Sequence, residues 1–260
     1  MELFDTHCHL DVEAFDPDRT QVLDRTRGAG VAHLLIPAIR RSGWQRLWEL
    51  CASDRHLYPA IGLHPMMLDD HADEDIAALD DFVRTHRPVA IGEIGLDYAV
   101  ESLDRERQQA LLEAQLEIAA RYRLPVVLHV RKAHEPMLRT LKGYDLSGGT
   151  CHAFNGSEQQ AARYYEMGFR FGFGGMLTYP KARHLRELAQ RLPLDSIILE
   201  TDAPDMSGAD HRGQRNSPEY LPEVAAVIAE LRGESVEFIA RTTTNNACEV
   251  LRPESSAIGP

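Results

Sequence analysis

Short apolar and β-branched runs alternate along the chain with longer stretches of helical period, the signature of successive βαβ units feeding a parallel sheet. Eight such runs are found, at residues 3–9, 31–39, 58–64, 89–95, 125–130, 149–154, 169–174 and 196–202. Several are apolar almost throughout, as in VAHLLIPAI at 31–39 and PVVLHV at 125–130. Strands covered by helices on one side and packed side chains on the other read this way. Between 102 and 122, Leu111, Ala114, Ile118 and Tyr122 recur at i, i+3, i+7 and i+11, which predicts one buried helical face. Ser217 before Pro218 predicts a helix start, and Gly233 the end of that helix.

Eight strands in 260 residues favour a closed α/β barrel of the TIM (β/α)8 type over a doubly wound sheet, since both give this alternation but the barrel matches the count and the length. No linker, composition shift or low-complexity tract divides the chain, so residues 1–260 are expected to form a single domain. A hydrophobic content of 43% is enough for one substantial core.

Charge narrows the choice of partners. Lys and Arg number 28 against 40 Asp and Glu, a formal net charge of -12 that disfavours binding polyanions over the whole surface. A pocket made locally positive by divalent cations escapes that restriction. No basic segment followed by an apolar stretch opens the sequence and no apolar run is long enough to span a bilayer, so a cytoplasmic chain without a membrane partner is expected. Four cysteines make no disulfide framework, and Cys8 and Cys151 are expected to be buried thiols. Nothing implies an obligatory protein partner.

The chemistry sits where the predicted strands end. Six of the eight carry, at their last residue or within two of it, a residue able to bind a metal or activate water: His9, His64, Glu93, His129, His152 and Asp202. The C-terminal rim of a TIM barrel is where active sites lie. His7 and His9, at i and i+2 on a strand, project from one face and can grip one ion. Glu93 stands among apolar residues in AIGEIGLDY, where an uncompensated carboxylate would cost several kcal/mol. Four histidines with Glu93 and Asp202 exceed what one tetrahedral ion needs, so two divalent ions sharing Glu93 are expected. One would be held by His7, His9 and Asp202, the other by His129 and His152. Zn, Mn and Mg all suit a mixed donor set in hydrolytic chemistry. The catalytic roles fall to Glu93 as the bridge and to Asp202 as ligand and proton acceptor. Glu200, two residues before Asp202, is an inward-pointing acid that could support it.

Weaker candidates are His64 in GLHP, as a substrate or supporting contact, and Arg131, Lys132, Arg212, Arg215 and Asn216 as phosphate contacts, each equally readable as ordinary surface or turn chemistry. Gly172, Gly174 and Gly175 allow a phosphate loop or merely a close backbone approach. Walker A, GxGxxG and GxSxG patterns are absent.

Taken together, DTHCHLD at 5–11, GLHP at 62–65, GEIGLDY at 92–98, LPVVLHVRKAH at 124–134, CHAFNGS at 151–157, LETDAPD at 199–205 and RGQRNSP at 212–218 resemble the TatD family of metal-dependent hydrolases, within the amidohydrolase-like barrels. GGMLTYP and TDAPDM are similar to its YjjV-like branch. The resemblance runs nearly end to end and implies a TIM barrel, divalent metals and ester hydrolysis, with deoxyribonuclease activity from the 3′ end of single-stranded DNA or RNA as the leading role. It assigns ligand roles to His7, His9, Glu93, His129, His152 and Asp202. Val130 and Ala153 depart from the residues common in that family, which touches substrate contacts more than metal binding. The alternative is hydrolysis of a C–N or carboxylic ester bond in a small metabolite.

Overall fold

The computed structural model describes residues 2–252. Eight parallel strands form one sheet in sequential order: β1 (Leu3–Asp5), β2 (Val31–Pro37), β3 (Leu57–Ile61), β4 (Ala90–Asp97), β5 (Val126–Arg131), β6 (Gly149–Cys151), β7 (Phe169–Phe173) and β8 (Ile197–Leu199). Helices follow the strands: α1 (Arg19–Gly28), α2 (Trp44–Ala52), α3 (Asp75–His86), α4 (Arg105–Tyr122), α5 (His134–Leu141), α6 (Glu158–Glu166), α7 (Arg183–Arg191), α8 (Leu221–Arg232) and α9 (Val236–Leu251). The first and last strands meet just beyond their ladders. Thr6 N–H donates to Leu199 O at 2.9 Å, Asp202 N–H to His7 O at 2.8 Å, and His9 N–H to Ala203 O at 2.8 Å. These bonds close the barrel, as the alternation of the sequence predicts, and they do so through the segments that carry His7, His9 and Asp202.

Two apolar clusters account for the layers. A large one joins strands to the surrounding helices, and a smaller one gathers Phe4, Leu35, Ala60, Ala90, Val127 and Ile198 from six strands. Ala247, Val250 and Leu251 of α9 pack into the smaller cluster and stopper the end of the barrel where the strands begin. The opposite end is left to polar side chains.

The predicted strands 3–9, 58–64, 149–154 and 196–202 run longer than the observed ones. Their last residues leave the ladder to form the rim, and polar side chains there make site contacts in place of packing. Glu93 and His129, by contrast, lie inside β4 and β5. Between Ile91 and Ile94, β4 advances three residues while β5 advances two, from Val126 to Leu128. This bulge, of a kind often found beside active sites, turns the Glu93 side chain into the barrel. At Gly95, φ is 155° and a Cβ would lie 1.9 Å from His129 O, so only glycine fits between the two strands there.

The buried face of α4 is displaced from the expected one. Its centre is Gln108, Leu112, Gln115, Leu116 and Ala119, while Leu111, Ala114 and Tyr122 are only partly covered. Two glutamines cause the shift. Gln108 exchanges hydrogen bonds with the Asp97 backbone at 2.8 and 3.1 Å, and Gln115 with the Leu63 backbone at 2.8 and 3.1 Å. Each amide satisfies a strand end that has run out of ladder partners. Ser217 and Pro218 open a short 3-10 turn, with no capping bond from the Ser217 side chain, before α8 proper. Gly233 ends α8 with φ 68°, as expected.

Candidate metal centre

Glu93 is the hub. Its Oε2 lies 3.0 Å from His7 Nε2 and 3.6 Å from His9 Nε2, while its Oε1 lies 2.8 Å from His129 Nδ1 and 3.1 Å from His64 Nε2. Asp202 faces the first pair, with Oδ1 3.7 Å from His7 Nε2 and 3.6 Å from His9 Nε2. Asp202 reaches this position from a left-handed backbone, φ 59°, just after β8. His152 stacks on His7, ring centres 3.7 Å apart, and its Nε2 lies 3.5 Å from Asp202 Oδ2. Three groups thus bring donor atoms within 4.8 Å of one another: His7, His9 and Asp202; His7, Glu93 and His152; His64, Glu93 and His129.

The six residues expected as ligands are therefore gathered at one mouth. The first expected grouping, His7 with His9 and Asp202, is present as read. The ring centres of His129 and His152, the expected second pair, are 6.5 Å apart, and each shares a group with Glu93: His129 with His64, and His152 with His7.

The set has the chemistry of a cation site. Glu93 is 2% exposed, and among the described residues only histidines come within ion-pairing distance of Glu93 and Asp202. Buried carboxylates need stronger compensation than neutral imidazoles give. Two histidines are anchored from behind, His9 Nδ1 by Pro37 O at 3.1 Å and His129 Nε2 by Asp97 Oδ2 at 3.0 Å, while His152 Nδ1 lies 3.0 Å from Glu200 Oε1 without forming a hydrogen bond. An acceptor behind a ring draws the ring proton to that side and leaves the other nitrogen's lone pair facing the cluster, the usual support for a metal-ligating histidine.

His64 is built the other way. Its Nδ1 accepts from Met66 N–H at 3.0 Å, so the neutral ring carries its proton on Nε2, which faces Glu93. His64 thus donates toward the cluster, in keeping with a supporting or substrate contact.

Electrostatics follow the same division. Burial opposes ionisation of Glu93, but His64, His7 and His129 outweigh it and hold the carboxyl well below the usual range. Asp202 behaves alike: burial raises it, and His152, His7 and His9 bring it down to about 2. Burial lowers His7 and His64. His152 resists burial because Glu200 and Asp202 favour its cation, and it is raised.

Three acids outside the ligand set support the cluster. Asp97 is held at about 2, burial being offset by His129 and Arg131. It lies four residues after Glu93, and the strand period alone would have flagged it. Glu200 also accepts from Ala153 N–H at 2.6 Å, and it occupies the space a side chain at Gly172 would fill, since a Cβ there would lie 2.0 Å from Glu200 Oε2. Close approach thus explains Gly172. Asp5 accepts from Thr201 N–H and Oγ1 at 2.9 and 2.6 Å and from His7 N–H at 3.2 Å, and burial still raises it to about 8.

The expected substrate contacts separate. Arg131 stays at the rim, its Nη1 3.0 Å from Asp97 Oδ2, and with Lys132, His134, Asn155 and His184 it lines a cleft of about 540 Å³. Arg212 is exposed, away from the cluster contacts. Arg215 and Asn216 are corrections. Arg215 is held by both Asp18 oxygens, at 2.8 and 2.7 Å, and lies over the Phe15 ring. Asn216 is buried and fully engaged, donating to Thr201 O and Asp205 O and accepting from Ser217 N–H. Both secure loops. Cys8 and Cys151 are buried thiols outside any disulfide, and no helix among the described residues is long and apolar enough to cross a membrane.

Residues 4–252 match the family model described as TatD related DNase. The chain is 43% identical over 245 residues to the uncharacterized metal-dependent hydrolase YjjV of Escherichia coli K12, covering 93% of this chain and 95% of that one. The crystal structure of YjjV superposes with a TM-score of 0.92 over 95% of this chain and 97% of that one, at 42% identity. The chain is also 33% identical to a protein of Erwinia billingiae named 3'-5' ssDNA/RNA exonuclease TatD, over 96% of this chain and 99% of that one.

Proposed function

This chain belongs to the TatD-related DNase family of metal-dependent hydrolases, and from that premise we propose that it cleaves phosphodiester bonds at the 3′ end of single-stranded DNA or RNA. The observation that carries the reading is the link between the Glu93 cluster and the basic cleft: Asp97 contacts His129 on one side and Arg131 on the other, both at 3.0 Å. A strand lying along Lys132 and Arg131 would bring its terminal phosphate to the histidine cluster. The E. billingiae relative's name supports the same substrate class.

In this reading His7, His9 and Asp202 would hold one divalent cation and His129 with His152 a second, Glu93 being shared. Asp202, ionised down to about pH 2, orients the attacking water. Divalent cations, when bound, would polarise the phosphoryl group and acidify water, the chemistry that so weak a base as Asp202 would need in order to accept a proton. His64 offers its Nε2 proton to Glu93 or to a substrate oxygen. Arg131 pairs with a nonbridging phosphate oxygen, keeping its second nitrogen on Asp97.

The test is cleavage of end-labelled single-stranded oligonucleotides by purified protein supplied in turn with Mg²⁺, Mn²⁺ and Zn²⁺. The expected result is a ladder shortening from the 3′ end and abolished by Asp202→Ala. Failure with all three cations, or cleavage that survives the substitution, contradicts the proposal.

A further inference from the structure

At the end of the barrel opposite the Glu93 cluster lies a cavity of about 460 Å³. Val89, Pro125 and Ser147, which lead into β4, β5 and β6, form part of its wall, and Leu251 at the end of α9 closes it. Strand beginnings face away from the rim that carries barrel active sites. Five arginines line this cavity, Arg84, Arg87, Arg121, Arg123 and Arg252, on a chain whose net charge is -12.

Helix ends explain two of them. Arg84 and Arg121 lie in the last turns of α3 and α4, where a cation meets the negative end of the helix dipole, and each has a carboxylate partner at 2.8 Å, Asp81 and Asp80. The other three are different. Arg87, Arg123 and Arg252 are the C-cap residues of α3, α4 and α9, all in the left-handed conformation, with φ of 51°, 55° and 47°. Glycine is the usual occupant of such a cap, because a β-carbon is crowded there. The remaining left-handed helix cap among the described residues, after α8, is Gly233, and it lies outside the cavity. The chain thus places arginine, against backbone preference, at the three caps around one cavity. Residues held in costly conformations cluster at ligand clamps and other functional positions. Neither Arg87 nor Arg123 has an ion-pair partner among the described residues.

The remaining wall is apolar, with buried Val89 and Leu251, and Tyr122 and Leu124 beside them. Guanidinium groups bind phosphate oxygens two at a time and stack on flat rings. The volume falls in the range of small-molecule sites. We propose that this cavity binds an organic polyphosphate of nucleotide size, its phosphates on Arg87 and Arg123 and its ring system against Tyr122 and the apolar wall. The site is separate from the hydrolytic centre, and the inference stands whether or not the chain is a nuclease.

Arg87→Gly with Arg123→Gly is the discriminating variant, since glycine suits both caps and removes charge without harming the fold. Calorimetric titration of the full chain with ATP, inorganic tripolyphosphate and adenosine is expected to show one ATP per chain, weaker tripolyphosphate and no adenosine binding. ATP affinity is expected to fall at least about ten-fold in the double variant, with an unchanged or higher melting temperature and unchanged hydrolytic activity. Absence of ATP binding overturns the proposal, and so does equal affinity in the double variant. Binding of a single-stranded oligonucleotide lost in the variant, with no ATP binding by either protein, would also overturn it and assign the arginines to a nucleic-acid strand. A lower melting temperature with unaltered ATP binding would make them structural, against the proposal.

Discussion

His64 faces Glu93 with a proton rather than a lone pair: its Nδ1 is occupied by the Met66 N–H at 3.0 Å, and its Nε2 lies 3.1 Å from Glu93 Oε1. This separates it from His9 and His129, whose rear nitrogens face Pro37 O and Asp97 Oδ2 and so favour a lone pair on the side of the cluster. His64→Gln, which can still donate to Glu93 but cannot release a proton, is accordingly expected to retain the cation content of the wild type while kcat falls by about 10²-fold, the scale of a lost acid–base contact. Elemental analysis beside steady-state kinetics checks both halves. Loss of cations from His64→Gln would make it a ligand instead.

Glu200 steers His152 through Nδ1 and is fixed by Ala153 N–H. Loss of such a support behind a ligand typically costs 10- to 100-fold in activity or metal affinity. Glu200→Gln is expected to fall in that range. Gly172→Ala, whose new methyl group would collide with the Glu200 carboxylate, is expected to match it. Kinetics of the two variants side by side decide the point, and a fully active Gly172→Ala enzyme would dissociate the glycine from the site.

Asn216 makes three hydrogen bonds from a buried position and holds the segment after β8. With roughly 1 kcal/mol for each bond, Asn216→Ala is expected to lose about 2–4 kcal/mol of stability in urea unfolding, with activity falling because Asp202 sits in that segment.

Arg215 and Asp18 supply a pH test away from the metal centre. The Arg215 hydrogen bonds hold the Asp18 carboxyl below its ordinary 3.8. A depressed folded-state value means the contribution is fully present above the unfolded value and disappears as pH falls through the folded one. The melting temperature of Arg215→Ala is thus expected to lie below that of the wild type near neutrality, and the gap to close below about pH 4. A gap that persists unchanged into acid would assign the loss to the Arg215 contact with Phe15 rather than to the ion pair.

The barrel was legible in the sequence because parallel strands buried on both faces are nearly pure apolar runs. The histidine and carboxylate cluster was legible because polar side chains at the ends of such runs gain nothing from apolar packing and need a polar or ionic partner to offset their burial. What escaped were relationships that depend on side-chain reach. Gln108 and Gln115 fall outside the apolar positions that periodicity picks out, yet they cap strand ends inside the barrel wall. Asn216 and Arg215 looked like substrate contacts, but their partners, Thr201 and Asp18, are 15 and 197 residues away in sequence. The placement of His152 beside His7 and Glu93 likewise follows from where β6 ends at Cys151, which periodicity does not fix.

The central claim is that Glu93 is shared between two divalent cations held by the surrounding histidines and Asp202. Elemental analysis of chelator-free wild-type protein and of Glu93→Gln measures it directly, the shape of the side chain being preserved. The expected result is two cations per wild-type chain, with both sites depleted in the variant. Two cations retained by Glu93→Gln, or none bound by the wild type at saturating Zn²⁺ or Mn²⁺, would contradict it.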